Sequence, residues 1–342
     1  MEKKRGGGYC VPSLRALRCY AVMFGLCLGL PSSAASSCKR KPVIFNFGDS
    51  NSDTAGWLAG LGIDVTLPNR RAFFHDVDPK PCQLAGYFVE ICIKSKMGEN
   101  LNTSILSPNL ESLGPNFSNG ANFAVSGAAT IPRDQPFNLG VQLNQFLLFR
   151  SRSPRYLDLV SRISGHVNLV GKDGFADALY TIDVGQNDLT AQFSTLPYLQ
   201  VIGNIPIFIE EIRFAIWSIY QSGGKNFWVH NTGPLGCLPY ILVTNAHDAL
   251  CEELRSHMKN ATIVYVDVFM IKYDLITNYT IHGFENSLKA CYNNGTVCEE
   301  SSRHMSWDGI HHTEAVNSFV ASRILSANYS TPPITFNFFY NV

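Results

Sequence analysis

Val43-Ile-Phe-Asn-Phe-Gly-Asp-Ser-Asn-Ser-Asp53 runs from an apolar, β-rich segment into a polar turn at a glycine. The run Val43 to Phe47 reads as a buried strand that stops at Gly48. Ala178 to Val184 repeats the pattern and stops at Gly185, and Asn226 to His230 and Thr262 to Val268 complete a set of four. Between them, Val141 to Ser151 and Ile207 to Tyr220 place apolar residues at helical three and four spacings. Strands alternating with helices predict an α/β fold, with a parallel sheet covered on both faces. In such sheets ligands gather at the carboxyl ends of the strands. The polar turns Gly48-Asp-Ser-Asn-Ser-Asp53 and Gly185-Gln-Asn-Asp188 are therefore where a site is to be sought.

Composition narrows the function. Of 342 residues, 46% are hydrophobic and 16% charged, with 27 Lys plus Arg against 27 Asp plus Glu. This is neither a disordered chain nor one built to bind nucleic acid. The first 35 residues read as a signal peptide: a basic stretch ending at Arg18, an apolar run Ala21 to Leu30, then Pro31 and the small residues Ser32 to Ala35. The competing reading, an uncleaved anchor, needs about 20 apolar residues, roughly twice that run. Without the leader, 22 basic residues face 26 acidic ones. Residues 36 to 342 show no repeat or long linker and are expected to form one domain, with no membrane anchor once the leader is cleaved. Six sequons fit secretion: Asn102, Asn116, Asn260, Asn278, Asn294 and Asn328. Seven cysteines follow the leader, and Cys291 and Cys298, flanking the turn-prone Asn293-Asn-Gly295, are the easiest pair to close.

Ser50, on the tight turn after the first strand, has the placement of an exposed nucleophile, although an isolated GDS tripeptide is usually an ordinary turn. A serine needs a base and the base an orienting acid, and Asp308-Gly-Ile-His311 supplies both on a turn leading into a helix from Thr313 to Leu325. His312 is the rival base, but His311 has the acid three positions before it. Asn187 offers a side-chain amide, and Gly127 an unobstructed N–H, for a developing oxyanion. No cysteine or histidine cluster has metal spacing, so no cofactor is expected.

FNFGDSNSDTAG (45 to 56), GANFAVSGAAT (120 to 130), DVGQNDL (183 to 189) and WDGIHHTEA (307 to 315) together resemble the four blocks of the GDSL, or SGNH, esterase/lipase family, most closely its plant branch. Pro136 to Leu139, Asn231 to Pro239 and Ile263 to Phe269 extend the likeness, which covers roughly residues 42 to 328. The resemblance implies a flavodoxin-like three-layer α/β/α sandwich with a central parallel sheet. By position it also implies a catalytic Ser50, Asp308 and His311, with oxyanion donors at Gly127, Asn187 and the Ser50 N–H. The reaction implied is metal-free hydrolysis of small-molecule or polysaccharide esters, with short acyl groups favoured, outside the cell in the apoplast or cell wall. An acyltransferase would use the same triad, whereas an α/β-hydrolase is disfavoured because the chain has no GxSxG elbow.

Two stretches depart from the family pattern. Asp78 to Gly86 lacks the charged groups usual in plant relatives, and Asp248 abuts Ala249 where relatives carry a few tens of further residues. The second departure predicts a sheet left partly uncovered, a marginal fold, and the possibility of a catalytically impaired relative.

Overall fold

The computed structural model describes residues 42–63, 106–112, 114–160, 162, 167–235, 240–293 and 295–340, with the backbone alone at 240–244 and 286–288. The leader, the 78–86 departure, Asn102, Asn294 and Cys237 lie outside the described residues.

Five parallel strands carry the fold: β1 (Ile44–Gly48), β2 (Gly120–Asn122), β3 (Leu179–Asp183), β4 (Asn226–His230) and β5 (Thr262–Val266). Their spatial order is β2-β1-β3-β4-β5, with β6 (Ser330–Thr331) added antiparallel to β5 at the edge. This is the flavodoxin-like winding, in which the order of strand addition reverses between β1 and β3. The helices, in chain order, are α1 (Gly56–Leu61), α2 (Leu139–Val160), α3 (Lys172–Asp177), α4 (Gln186–Thr195), α5 (Tyr198–Gln221), α6 (Tyr240–His257), α7 (Val268–Thr277), α8 (Glu314–Leu325) and α9 (Phe336–Tyr340).

Strand periodicity sorts side chains into two cores. Phe45, Phe47, Tyr180, Ile182, Phe227, Val229, Ile263 and Tyr265 point to one face, where α2 to α6 cover them. Ile44, Leu179, Trp228, Val264 and Val266 point to the other, under α7, α8 and α9. With both faces buried, β1, β3, β4 and β5 read as mainly apolar sequence. Asn46 and Thr181 are polar residues in the middle of neighbouring strands, and they bond each other, Thr181 Oγ1 donating to Asn46 Oδ1 at 2.6 Å.

Several expectations change at their edges. The helices read as 141–151 and 207–220 extend to 139–160 and 198–221, because Asn138 caps the first by accepting the Val141 N–H. The strand read to Val268 stops at Val266, since the Asp267 carboxylate accepts the Met270 N–H and opens α7. The tail after Pro333, aromatic-rich in sequence, turns into α9, whose Phe336 and Tyr340 sit one turn apart and are both buried. The pair Cys291–Cys298 is a disulfide.

The Asp248–Ala249 junction does not leave the sheet bare. Helix α6 runs through it without interruption and inserts Leu250, Cys251 and Leu254 beside Ile263 and Tyr265. Buried Cys251 takes part in no disulfide.

Candidate active site

Ser50 lies on the turn that leaves β1, and Gly48 allows that turn: a Cβ there would run into the Asp183 carbonyl of the neighbouring strand. The turn is closed by Asp49, whose Oδ1 accepts from the Asn51 N–H at 2.9 Å and from Asn51 Nδ2 at 3.0 Å. Ser50 is not at a helix N-terminus, because α1 begins only at Gly56. Burial, reinforced by the neighbouring Asp183, pushes the Asp49 carboxyl up to about 7, against the pull of the Asn51 N–H and Lys272.

Asp308 and His311 meet Ser50 from the far end of the chain. His311 Nε2 lies 3.0 Å from Ser50 Oγ, across 261 residues of sequence, and His311 Nδ1 lies 2.7 Å from Asp308 Oδ2. Asp308 Oδ1 also accepts the N–H groups of Ile310 and His311, at 2.9 and 2.7 Å, so one carboxylate shapes the turn and orients the ring. Burial opposes its charge, but these bonds from His311 and Ile310 outweigh it and hold Asp308 below the usual carboxylate range. The Asp308 bond through Nδ1 leaves Nε2 as the nitrogen facing the serine. His312 is different: burial first, then the Lys272 charge, pull it down to about 3. It is a weak base that does not reach Ser50 among the hydrogen bonds of the described residues.

Gly127 occupies the third position of a turn closed by the Ala128 N–H on the Val125 carbonyl, at 3.0 Å, with φ +78°. That conformation favours glycine and leaves its N–H free of a side chain of its own. Asn187 stands in the first turn of α4 and donates through Nδ2 to the Ala128 carbonyl at 2.9 Å. The two candidate donors are thus tied to adjacent residues of one loop, and the amide keeps a second hydrogen.

Sequence reading missed the buried residues that lock these loops together. Asp53 accepts N–H bonds from Gly56 and Trp57 ahead of it and from Ser126 beside Gly127, at 2.5, 3.2 and 2.8 Å. Desolvation pushes it up to about 6 despite those bonds. Asp188 accepts from both the N–H and the hydroxyl of Thr130, and burial raises its pKa. Asn122 donates to the Ser52 carbonyl and to Thr54 Oγ1 while accepting from Asn46. Gln142 of α2 accepts from the Gly48 N–H and donates to its carbonyl. Nothing local in sequence flags these partners except polar residues at otherwise apolar positions, such as Asn46 within its strand.

Residues 44–324 match the family model of the GDSL-like lipase/acylhydrolases. The GDSL esterase/lipase At1g09390 of Arabidopsis thaliana is 45% identical over 90% of this chain and 92% of its own length. LIP-4 and At3g62280, two further GDSL esterase/lipases of that plant, are 42% and 38% identical over 92% and 94% of the chain and 93% and 97% of their own lengths. With a three-layer sandwich, the serine turn at the carboxyl end of β1 and a match of this extent, the chain belongs to the GDSL-like lipase/acylhydrolase family and is a hydrolase of the GDSL type.

Proposed function

We propose that the chain hydrolyses carboxylic esters with Ser50 as nucleophile, His311 as general base and acid, and Asp308 as the group that fixes the His311 tautomer. The observation that carries this reading is the unbroken sequence of contacts from Ser50 Oγ to His311 Nε2 and from His311 Nδ1 to Asp308. As Ser50 Oγ attacks the ester carbonyl, its proton passes to Nε2. The resulting oxyanion is met by the N–H groups of Ser50 and Gly127 and by the free hydrogen of the Asn187 amide. Collapse breaks the ester C–O bond, and the leaving alkoxide takes the proton from His311. Water then gives its proton to His311 and attacks the acyl-enzyme, releasing the acid and restoring Ser50.

Secretion to the cell exterior belongs to the same reading. The leader-like residues 1 to 35, the disulfide Cys291–Cys298 and the surface position of sequons Asn260 and Asn328 support it. The test uses recombinant protein and p-nitrophenyl esters of increasing acyl length, with a fluorophosphonate serine probe. Turnover and probe labelling are expected, both lost in Ser50→Ala with a fall on the order of 10⁶-fold in kcat. Full turnover by that variant would end the assignment.

A further inference from the structure

Ile131-Pro-Arg-Asp-Gln-Pro-Phe137 is a loop outside any helix or strand, and residues 132 to 136 are exposed. It touches both candidate oxyanion residues at once. Arg133 Nη1 donates to the Asn187 backbone carbonyl at 2.7 Å. The Gln135 side chain lies over Gly127, its Cγ 3.3 Å from where a Cβ would stand. The root of the loop is pinned to the same helix turn by Thr130 on Asp188. The loop is therefore the wall of the site on the oxyanion side, held at three points rather than adrift over it.

Its chemistry is unusual for a surface loop. A guanidinium presents five N–H donors, of which Arg133 spends one on the Asn187 carbonyl. No carboxylate among the described residues forms an ion pair with it, neighbouring Asp134 included, and Asp188 is spent on Thr130. Anchoring one nitrogen removes much of the side chain's rotational freedom, so the remaining donors form a preorganised cationic edge. A second cation, Lys272, stands near the serine turn with Asp49 and Asp183.

We propose that Arg133 is a specificity-determining residue that receives a carboxylate carried by the ester substrate, with Gln135 shaping the passage over Gly127. This makes the preferred substrate an acidic ester, and it rests on the ester-hydrolase reading above. A planar guanidinium matches a carboxylate in a two-bond fork, which a neutral hydroxyl or an alkyl chain cannot use.

Two pairs of esters test it, one for each side of the scissile bond. Mono-p-nitrophenyl succinate against p-nitrophenyl butyrate places the charge on the acyl side, and 4-acetoxybenzoate against phenyl acetate places it on the alcohol side. For one pair, Arg133→Gln is expected to lower the charged-to-neutral ratio of kcat/KM about tenfold, mainly through KM, and Arg133→Lys to restore part of it. Raising ionic strength should lower that ratio in the unaltered enzyme and leave it flat in Arg133→Gln. If Arg133→Gln depresses charged and neutral esters equally, Arg133 merely props Asn187 and the proposal fails. It fails also if both ratios stay unmoved. If the unaltered protein cleaves none of the four esters, the ester-hydrolase reading itself falls.

Discussion

His311 and His312 are neighbours in sequence and opposites in surroundings. One reaches Ser50 and Asp308, while the other is pulled down to about 3 by burial and the Lys272 charge. Replacing His311 by Gln should lower kcat nearly as far as losing Ser50, whereas His312→Gln should cost far less, since members of a triad act as a unit. Steady-state kinetics of both variants decide it, and the reverse ranking would move the base to His312. Asn187→Ala should cost on the order of 10²- to 10³-fold in kcat with little change in KM, because its amide faces charge present only in the transition state. An effect confined to KM would make it a substrate-binding group. Asp49 gives a stability signature. Its carboxyl is raised from 3.8 to about 7, so between those values the folded state holds more protons than the unfolded one. Stability then falls as pH rises through that window, by up to about 1.4 kcal/mol per pH unit, and levels off above it. Asp308, held low, acts in the opposite sense and only in more acidic solution. Denaturant melts across the window should slope downward in the unaltered protein and lie flatter in Asp49→Asn; parallel slopes would refute the assignment.

At the scale of elements, α6 decides what the shortened region means. The Asp248–Ala249 junction suggested a missing cover, yet a single helix crosses it and fills that face of the sheet. Leu250→Ala should therefore destabilise the protein by about 2–5 kcal/mol, the range for a buried leucine truncated in a packed core. Inserting a relative's extra residues between Asp248 and Ala249 should not raise Tm, since the insertion would break a helix that already does the covering. A large rise in Tm would show that α6 is a poor substitute. What was legible here was the period of the pattern. The ends of α2, α7 and α8 were set by capping side chains, Asn138, Asp267 and Thr313, whose role depends on where the backbone turns. α9 escaped notice because its helical signal is only Phe336 and Tyr340, and what stabilises it is their burial in the core that holds Trp228.

At the scale of the whole molecule, the sequons divide by their surroundings. Asn260 and Asn328 are exposed on turns, whereas Asn116 is half-buried with Oδ1 engaged by Ser118, and Asn278 donates to Asp274. Protein made in a eukaryotic secretory pathway should lose mass on N-glycosidase treatment, and Asn260→Gln with Asn328→Gln should remove much of that loss. An unchanged mass in the unaltered protein would count against secretion. By itself the sequence determined the α/β class, four of the five parallel strands, the serine turn, the Asp308–His311 pair and the Cys291–Cys298 bridge. Each of these is written in residues close together, through period, turn chemistry or short spacing. The short strand β2 was missed because only three residues pair there. Tertiary structure alone decided that His311 meets Ser50 across 261 residues, and that Asp53, Asn122, Gln142 and Asp188 bolt the loops together. Those contacts join blocks with no regular separation along the chain, and the choice of partner follows from strand order, which brings the carboxyl ends of β1, β2 and β3 side by side.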